Sequence, residues 1–157
     1  MKIDNQTIQK IYVIGISTRT INEKGQSAKD IEALWQRFWD KKIQTQIPNK
    51  VSDEIYAVYT DYETDFSGAY STIIGLQVVS LDNIPEGFTG ITIEKTVYQK
   101  FISRGKMPEA VFNTWLEIWA NKELNLKRAY KADFTIHGEK YYDVNNAEVE
   151  TYISIIE

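Results

Sequence analysis

Four tryptophans carry the clearest chemical signal in this chain. Trp35 and Trp39 are spaced i, i+4, as are Trp115 and Trp119, so each pair lies on one face of a helix if its segment is helical. Flat indole faces stack on planar ligands and attract cations through the ring quadrupole, and Tyr59 and Tyr98 can add to such a surface. Aromatics at helical spacing also pack cores, and both roles stay open at this point. The sequence Asp61-x-Glu63-x-Asp65 resembles the start of a calcium loop, but Phe66 stands where that loop needs glycine and Thr72 where it needs a bidentate glutamate. A solvated acidic turn is the simpler account; if one of these acids enters a cleft to meet a cation, Glu63 is the best placed. His137 is the sole histidine, in an extended segment, where it is either hydrogen-bonded structure or a general acid–base group.

Other chemistry is excluded by absence of its parts. With no cysteine and one histidine, thiol nucleophiles, disulfides and Cys-based or two-His metal sites are ruled out. The glycine-rich nucleotide motifs and the Gly-x-Ser-x-Gly elbow are missing. No metal, cofactor or catalytic residue is therefore expected. The net charge of −4 gives no footprint for a phosphate backbone, so nucleic acid is not expected as a direct partner. The N-terminus lacks an apolar core, and the longest apolar stretches fall far short of the ~20 residues that span a bilayer. The expected setting is the cytoplasm, without a membrane partner.

The elements that must position these residues fall into two similar sets. Residues 9–17 are β-branched and aromatic and predict a buried strand. After Gly25, Ser27 opens a helix with Asp30 as a weak capping partner, and Ile31, Leu34, Trp35, Phe38 and Trp39 give its apolar face. Strands are expected over 54–60 and 70–79. Past the turn residues 82–87, a strand reaches from Ile91 to Phe101, Gly105 closes it, and Pro108 starts a helix with Val111, Trp115, Ile118 and Trp119 on its apolar stripe. Strands at 133–137 and 148–155 complete the chain. Each half reads β-α-β-β. Residue echoes support duplication: Glu32-Ala33-Leu34-Trp35 returns as Glu109-Ala110-Val111-Phe112, and Tyr56 to Asp65 can be laid on Phe134 to Asp143. The expected fold class is α+β, with tandem β-α-β-β halves in pseudo-two-fold symmetry, antiparallel sheet, helices on one face and a central cleft. The 157 residues, 43% of them hydrophobic and 25% charged, suit a single domain, with halves at about 1–80 and 84–157 and no DNA-binding domain.

Specific strings carry a resemblance. Ile84-Pro85-Glu86-Gly87, Tyr98-Gln99-Lys100-Phe101, Gly105-x-x-Pro108 and Trp115-x-x-Ile118-Trp119 resemble the second half of GyrI-like small-molecule-binding domains, also called AraC-type effector-binding domains. Leu34-Trp35-Gln36-Arg37-Phe38, the run Ile55 to Asp65, Gly68-x-Tyr70 and Gly75-x-x-Val78 are similar to the standalone branch that includes integron-cassette effector-binding proteins. The resemblance implies a cleft that binds hydrophobic, often cationic, aromatic compounds in bacterial, regulation-related or multidrug-binding proteins. Some relatives inhibit DNA gyrase and some hydrolyse cyclopropane-bearing genotoxins. Many relatives carry Asp-Phe-Glu followed two residues later by Tyr, with the Glu meeting the ligand's charge. Here Thr135 stands in place of that Glu and His137 in place of the Tyr.

The sequence thus points to non-catalytic binding of an aromatic, possibly cationic, small molecule by Trp35, Trp39, Tyr59, Glu63, Tyr98, Trp115, Trp119, Thr135 and His137. Two alternatives stand beside it: a module that inhibits or tunes a protein partner such as gyrase or a regulator, and a hydrolase that activates water with Glu63 or His137. The expected assembly is a monomer or a weak homodimer.

Overall fold

The computed structural model describes residues 2–143 and 145–156. In chain order its main elements are β1 (Lys2–Ile8), β2 (Ile11–Ile21), α1 (Gln26–Asp40), α2 (Ile43–Gln46), β3 (Lys50–Thr60), β4 (Ala69–Val78), β5 (Thr89–Ile93), β6 (Thr96–Gly105), α3 (Glu109–Ala120), α4 (Lys122–Lys127), β7 (Ala132–His137) and β8 (Ala147–Ser154). A 3-10 turn, Glu139–Tyr142, joins the last two strands. The fold is α+β, and all eight strands form one antiparallel sheet in the order β1-β6-β8-β7-β3-β4-β2-β5.

That order contains the expected duplication. The first half supplies the block β3-β4-β2 and the second the block β7-β8-β6, and the blocks meet at β3 and β7, where Ala57 is the register partner of Thr135. Each half also has a leading strand, and it crosses to the other half: β1 pairs with β6 and β5 pairs with β2. Neither leading strand was separable from sequence. Most of β1 is polar, as suits an edge strand, and the single strand expected from Ile91 to Phe101 is broken at Glu94-Lys95, where the chain leaves one partner for another.

Both faces of the sheet are buried, which explains why β2 reads as a continuous apolar run instead of an alternation. On one face Ile14, Ile16 and Leu76 pack under Leu34 and Phe38 of α1, while Phe101 and Ile153 pack under Ile118 of α3 and Leu124 of α4. Each such side chain contributes roughly 1.5–3 kcal/mol by leaving water. Residues of opposite parity, among them Val13, Val58, Phe134, Tyr98 and Tyr152, form a second core with Ile93 of β5 and Ile8 of β1. The sheet therefore curls around one core and carries both long helices on its other side. Where β2 crosses β4, Gly15 faces Gly75, and a Cβ on either would collide with the backbone of Ile74 or Ile14 respectively.

The start of α1 differs in detail from its sequence signature. The helix begins at Gln26 behind Gly25, whose φ of 75° needs the freedom of glycine, and no side chain caps it. Asp30 accepts hydrogen bonds from Gln26 Nε2 (2.9 Å) and Thr20 Oγ1 (2.8 Å), so it ties the helix to β2 in place of boxing with Ser27.

Candidate functional site

The two long helices present their tryptophans to one another. In α1, Leu34 and Phe38 point into the core, and the neighbouring stripe carries Trp35 and Trp39. In α3, Thr114 and Ile118 are the buried pair, and Trp115 and Trp119 follow. These match 80 positions on in each case, so by burial the helix echo is offset by three residues from the Glu32/Glu109 alignment suggested by the sequence. Between the helices, above β3 and β7, lies a cavity of about 710 Å³, within the usual range for small-molecule sites.

Aromatic rings make most of its wall. Trp35 stacks on Trp39 at 6.0 Å, and Trp115 lies 6.1 Å from Trp119. Tyr59 meets Trp115 edge-on at 5.2 Å, and Phe66 stacks on Trp119 at 6.4 Å. His137 takes Trp35 and Tyr141 at 4.9 and 4.8 Å, both edge to face. Tyr62 and Tyr70 close the side nearest Arg128. Aromatic pairs of this kind are worth about 0.5–1.5 kcal/mol each beyond the area they bury, so the wall is held in shape by its own contacts.

Of the residues singled out from sequence, the fold brings Trp35, Trp39, Tyr59, Trp115, Trp119 and His137 to the cavity. Thr135 lies just beneath it, fully buried, sharing a 2.8 Å hydrogen bond with His137 Nε2. Glu63 and Tyr98 lie elsewhere. Strand alternation would carry Asp61 and Glu63 to the same face as Tyr59, but Asp61 adopts a left-handed φ of 52°, which ends the alternation. Tyr62 therefore turns inward and Glu63 is exposed. Tyr98 has the wrong parity on β6 and packs in the second core, 5.3 Å from Phe134. The sequence also left out Tyr62, Phe66, Tyr70, Phe112, Arg128 and Tyr141, which line the cavity. The Tyr56–Asp65 echo with Phe134–Asp143 held a usable hint, because it places Tyr59 opposite His137, and these two do stand on the paired strands at the base of the cavity.

The electrostatics are those of a site with no free buried charge. Burial pushes the His137 imidazole down to about 3, so the ring is neutral near pH 7. Burial likewise raises the Tyr59 and Tyr62 phenols, reinforced at Tyr62 by the charge of Asp133. Asp133 is buried and fully engaged. Its Oδ1 accepts from the Ser154 backbone N–H (2.7 Å) and Ser154 Oγ (3.1 Å), and its Oδ2 from Arg128 Nη2 (2.8 Å) and the Tyr62 hydroxyl (2.5 Å). Burial alone would lower the Arg128 pKa, but the Asp133 charge and hydrogen bond together with the neighbouring Tyr62 and Tyr130 phenols more than offset it. No group of three His, Asp or Glu side chains among the described residues could hold a metal ion, and no described helix is long and apolar enough to cross a membrane.

A two-half sheet carrying a cleft between paired helices is the architecture of an effector-binding domain. The family model for Cass2, the integron-associated effector-binding protein, matches residues 6–155, and the chain belongs to that family. It is 29% identical over 144 residues to YobU of Bacillus subtilis (strain 168), named as a candidate transcriptional regulator, covering 90% of this chain and 89% of that one. The integron cassette protein VCH_CASS2 from Vibrio cholerae is 28% identical, with a TM-score of 0.75 over 98% of this chain and 95% of its own. SAV2435, solved bound to tetraphenylphosphonium, shares the fold at 19% identity, with a TM-score of 0.83 over 99% of this chain and 94% of that one.

Proposed function

We propose that this protein binds hydrophobic, aromatic small molecules between α1 and α3 without transforming them, its two halves acting as one binding unit. One observation carries the reading: Trp35, Trp39, Trp115 and Trp119 converge from two separate helices on one cavity of about 710 Å³. Core tryptophans would bury against the sheet, as Phe38 and Ile118 do. These four leave faces toward a space large enough for a multi-ring ligand, and the membership in an effector-binding family agrees with that use. The same fold in SAV2435 accommodates tetraphenylphosphonium, a bulky aromatic cation.

Catalysis finds little support among the cavity groups. A histidine titrating at about 3 is a weak base near pH 7, its Nε2 is engaged by Thr135, and Glu63 lies outside the cavity. Titration of N-phenyl-1-naphthylamine, an uncharged three-ring fluorophore, tests the function. Saturable enhancement of its emission with quenching of tryptophan, weakened in Trp115→Ala, is the expected result. An absence of saturable binding by this and larger uncharged aromatics would overturn the reading.

A further inference from the structure

The length of ligand that the cavity accepts depends on what stands at its two ends. This selection rests on the binding function proposed above. The strands at its base, β3 and β7, run antiparallel and pair from Ile55 opposite His137 to Thr60 opposite Ala132. The chain leaves β3 at Thr60 and β7 at His137, so the loop after β3 and the 3-10 turn after β7 start from opposite ends of the paired strands. Those ends are about 17 Å apart, taking ~3.4 Å for each residue from Ile55 to Thr60.

Each connection returns one aromatic ring to the cavity. Phe66, after β3, stacks on Trp119 of α3 at 6.4 Å with the planes 14° apart. Tyr141, after β7, stacks on Trp35 of α1 at 6.3 Å and meets His137 edge-on at 4.8 Å. Both rings are half-buried and line the cavity. Their contacts cross the duplication, because the first half's loop reaches the second half's helix and the second half's turn reaches the first half's helix. The helix tryptophans divide between the ends in the same way: Trp35 meets His137, and Trp115 meets Tyr59 further along β3. The Phe66 end is also pinned through its backbone. Its carbonyl accepts from Asn22 Nδ2 at 3.0 Å, and Asn22 Oδ1 accepts from the Tyr70 hydroxyl at 2.6 Å.

We propose that Phe66 and Tyr141 are the end stops of the cavity and set its specificity by length, admitting rigid aromatic compounds that fit between them and excluding longer ones. Removal of either ring opens the cavity along the strands. In an open groove a longer apolar ligand would bind more tightly, since it buries more surface; between two stops the order reverses.

The diphenylpolyenes trans-stilbene, 1,4-diphenylbutadiene and 1,6-diphenylhexatriene test this, because they share the same end rings and grow by one double bond at each step. Equilibrium dialysis with absorbance readout gives the affinity of each. In the unmodified protein the hexatriene should bind roughly tenfold more weakly than stilbene, despite its larger apolar surface. In Phe66→Ala and in Tyr141→Ala the ratio of hexatriene to stilbene affinity should rise at least about fivefold, a change within one variant that general loosening of the fold would not produce. Phe66→Leu or Tyr141→Leu replaces an alanine variant that does not fold. Hexatriene binding to the unmodified protein as tight as or tighter than that of stilbene overturns the length limit, and an unchanged ratio in either variant removes that residue from the role. Failure of the whole series and of N-phenyl-1-naphthylamine to bind would overturn the aromatic site itself, and the end stops with it.

Discussion

Removal of the Arg128 guanidinium by Arg128→Met should destabilise the protein far more than its loss of one hydrogen bond suggests. The side chains of Arg128 and Asp133 are 1% and 0% exposed, and the pair stands at 2.8 Å behind the cavity wall. Methionine fills much of the same volume but leaves the Asp133 carboxylate with Tyr62 and Ser154 as its only donors. Breaking a buried pair by deleting one partner typically costs about 3–5 kcal/mol. For a chain of this length, that corresponds to a fall in Tm of roughly 6–20 °C, at about 2–4 °C per kcal/mol. The companion Asp133→Asn removes the orphaned charge, so the double variant should be more stable than Arg128→Met alone. Thermal and urea unfolding of the four proteins, followed by near-UV circular dichroism, gives the coupling energy of the cycle. If each single substitution costs less than ~1 kcal/mol and the two effects add, the pair is not the buried, mutually dependent unit argued here.

Trp115→Ala should keep the fold but weaken binding of N-phenyl-1-naphthylamine about tenfold, or ~1.4 kcal/mol, because it removes the ring that joins Tyr59 to Trp119; isothermal titration checks it. Glu63→Gln should leave that affinity within about twofold, since an exposed side chain outside the cavity has no ligand to meet. His137 has its folded pKa lowered below that of the unfolded chain, so the unfolded state binds the proton first, and its contribution is complete above pH ~6.5 and declines toward about 3. Unfolding free energies from urea titrations at pH 7 and pH 5 should therefore differ by ~2 kcal/mol more in the parent protein than in His137→Gln. Gly75→Ala would drive a methyl into the Ile14 carbonyl across the β2–β4 pair and should cost ~3 kcal/mol or more, read as a loss of soluble, cooperatively unfolding protein.

Local pattern and long-range contact divided what the sequence could reveal. Apart from the leading strands, the strands of each half were legible as β-branched and aromatic runs, and both long helices as apolar residues at helical spacing, as Leu34, Phe38 and Ile118 show. The four tryptophans could be assigned to helix stripes for the same reason, and the fold brings both stripes to one cavity. The exchange of β1 and β5 between halves could not be read, because strand pairing depends on partners far along the chain. Glu63 was chosen as the acid of the Asp61-x-Glu63-x-Asp65 turn best placed to meet a cation, but Asp61, of a residue type that tolerates the left-handed region, takes a φ of 52° and the turn leaves Glu63 exposed. Tyr98 failed on parity, since both faces of β6 are buried and either could have been the cavity side. Arg128 gave no local signal at all. Its meaning comes from Asp133, Tyr62 and Tyr130, which only the folded chain assembles around it.

The claim that the helices bind an aromatic ligand between them can be tested at the tryptophans themselves. In a two-dimensional nitrogen–proton NMR titration with N-phenyl-1-naphthylamine, the four tryptophans give four indole N–H signals. All four should shift together, saturating at one ligand per chain with a common Kd. Indole signals that stay in place while only amides on the outer surface move would contradict the account.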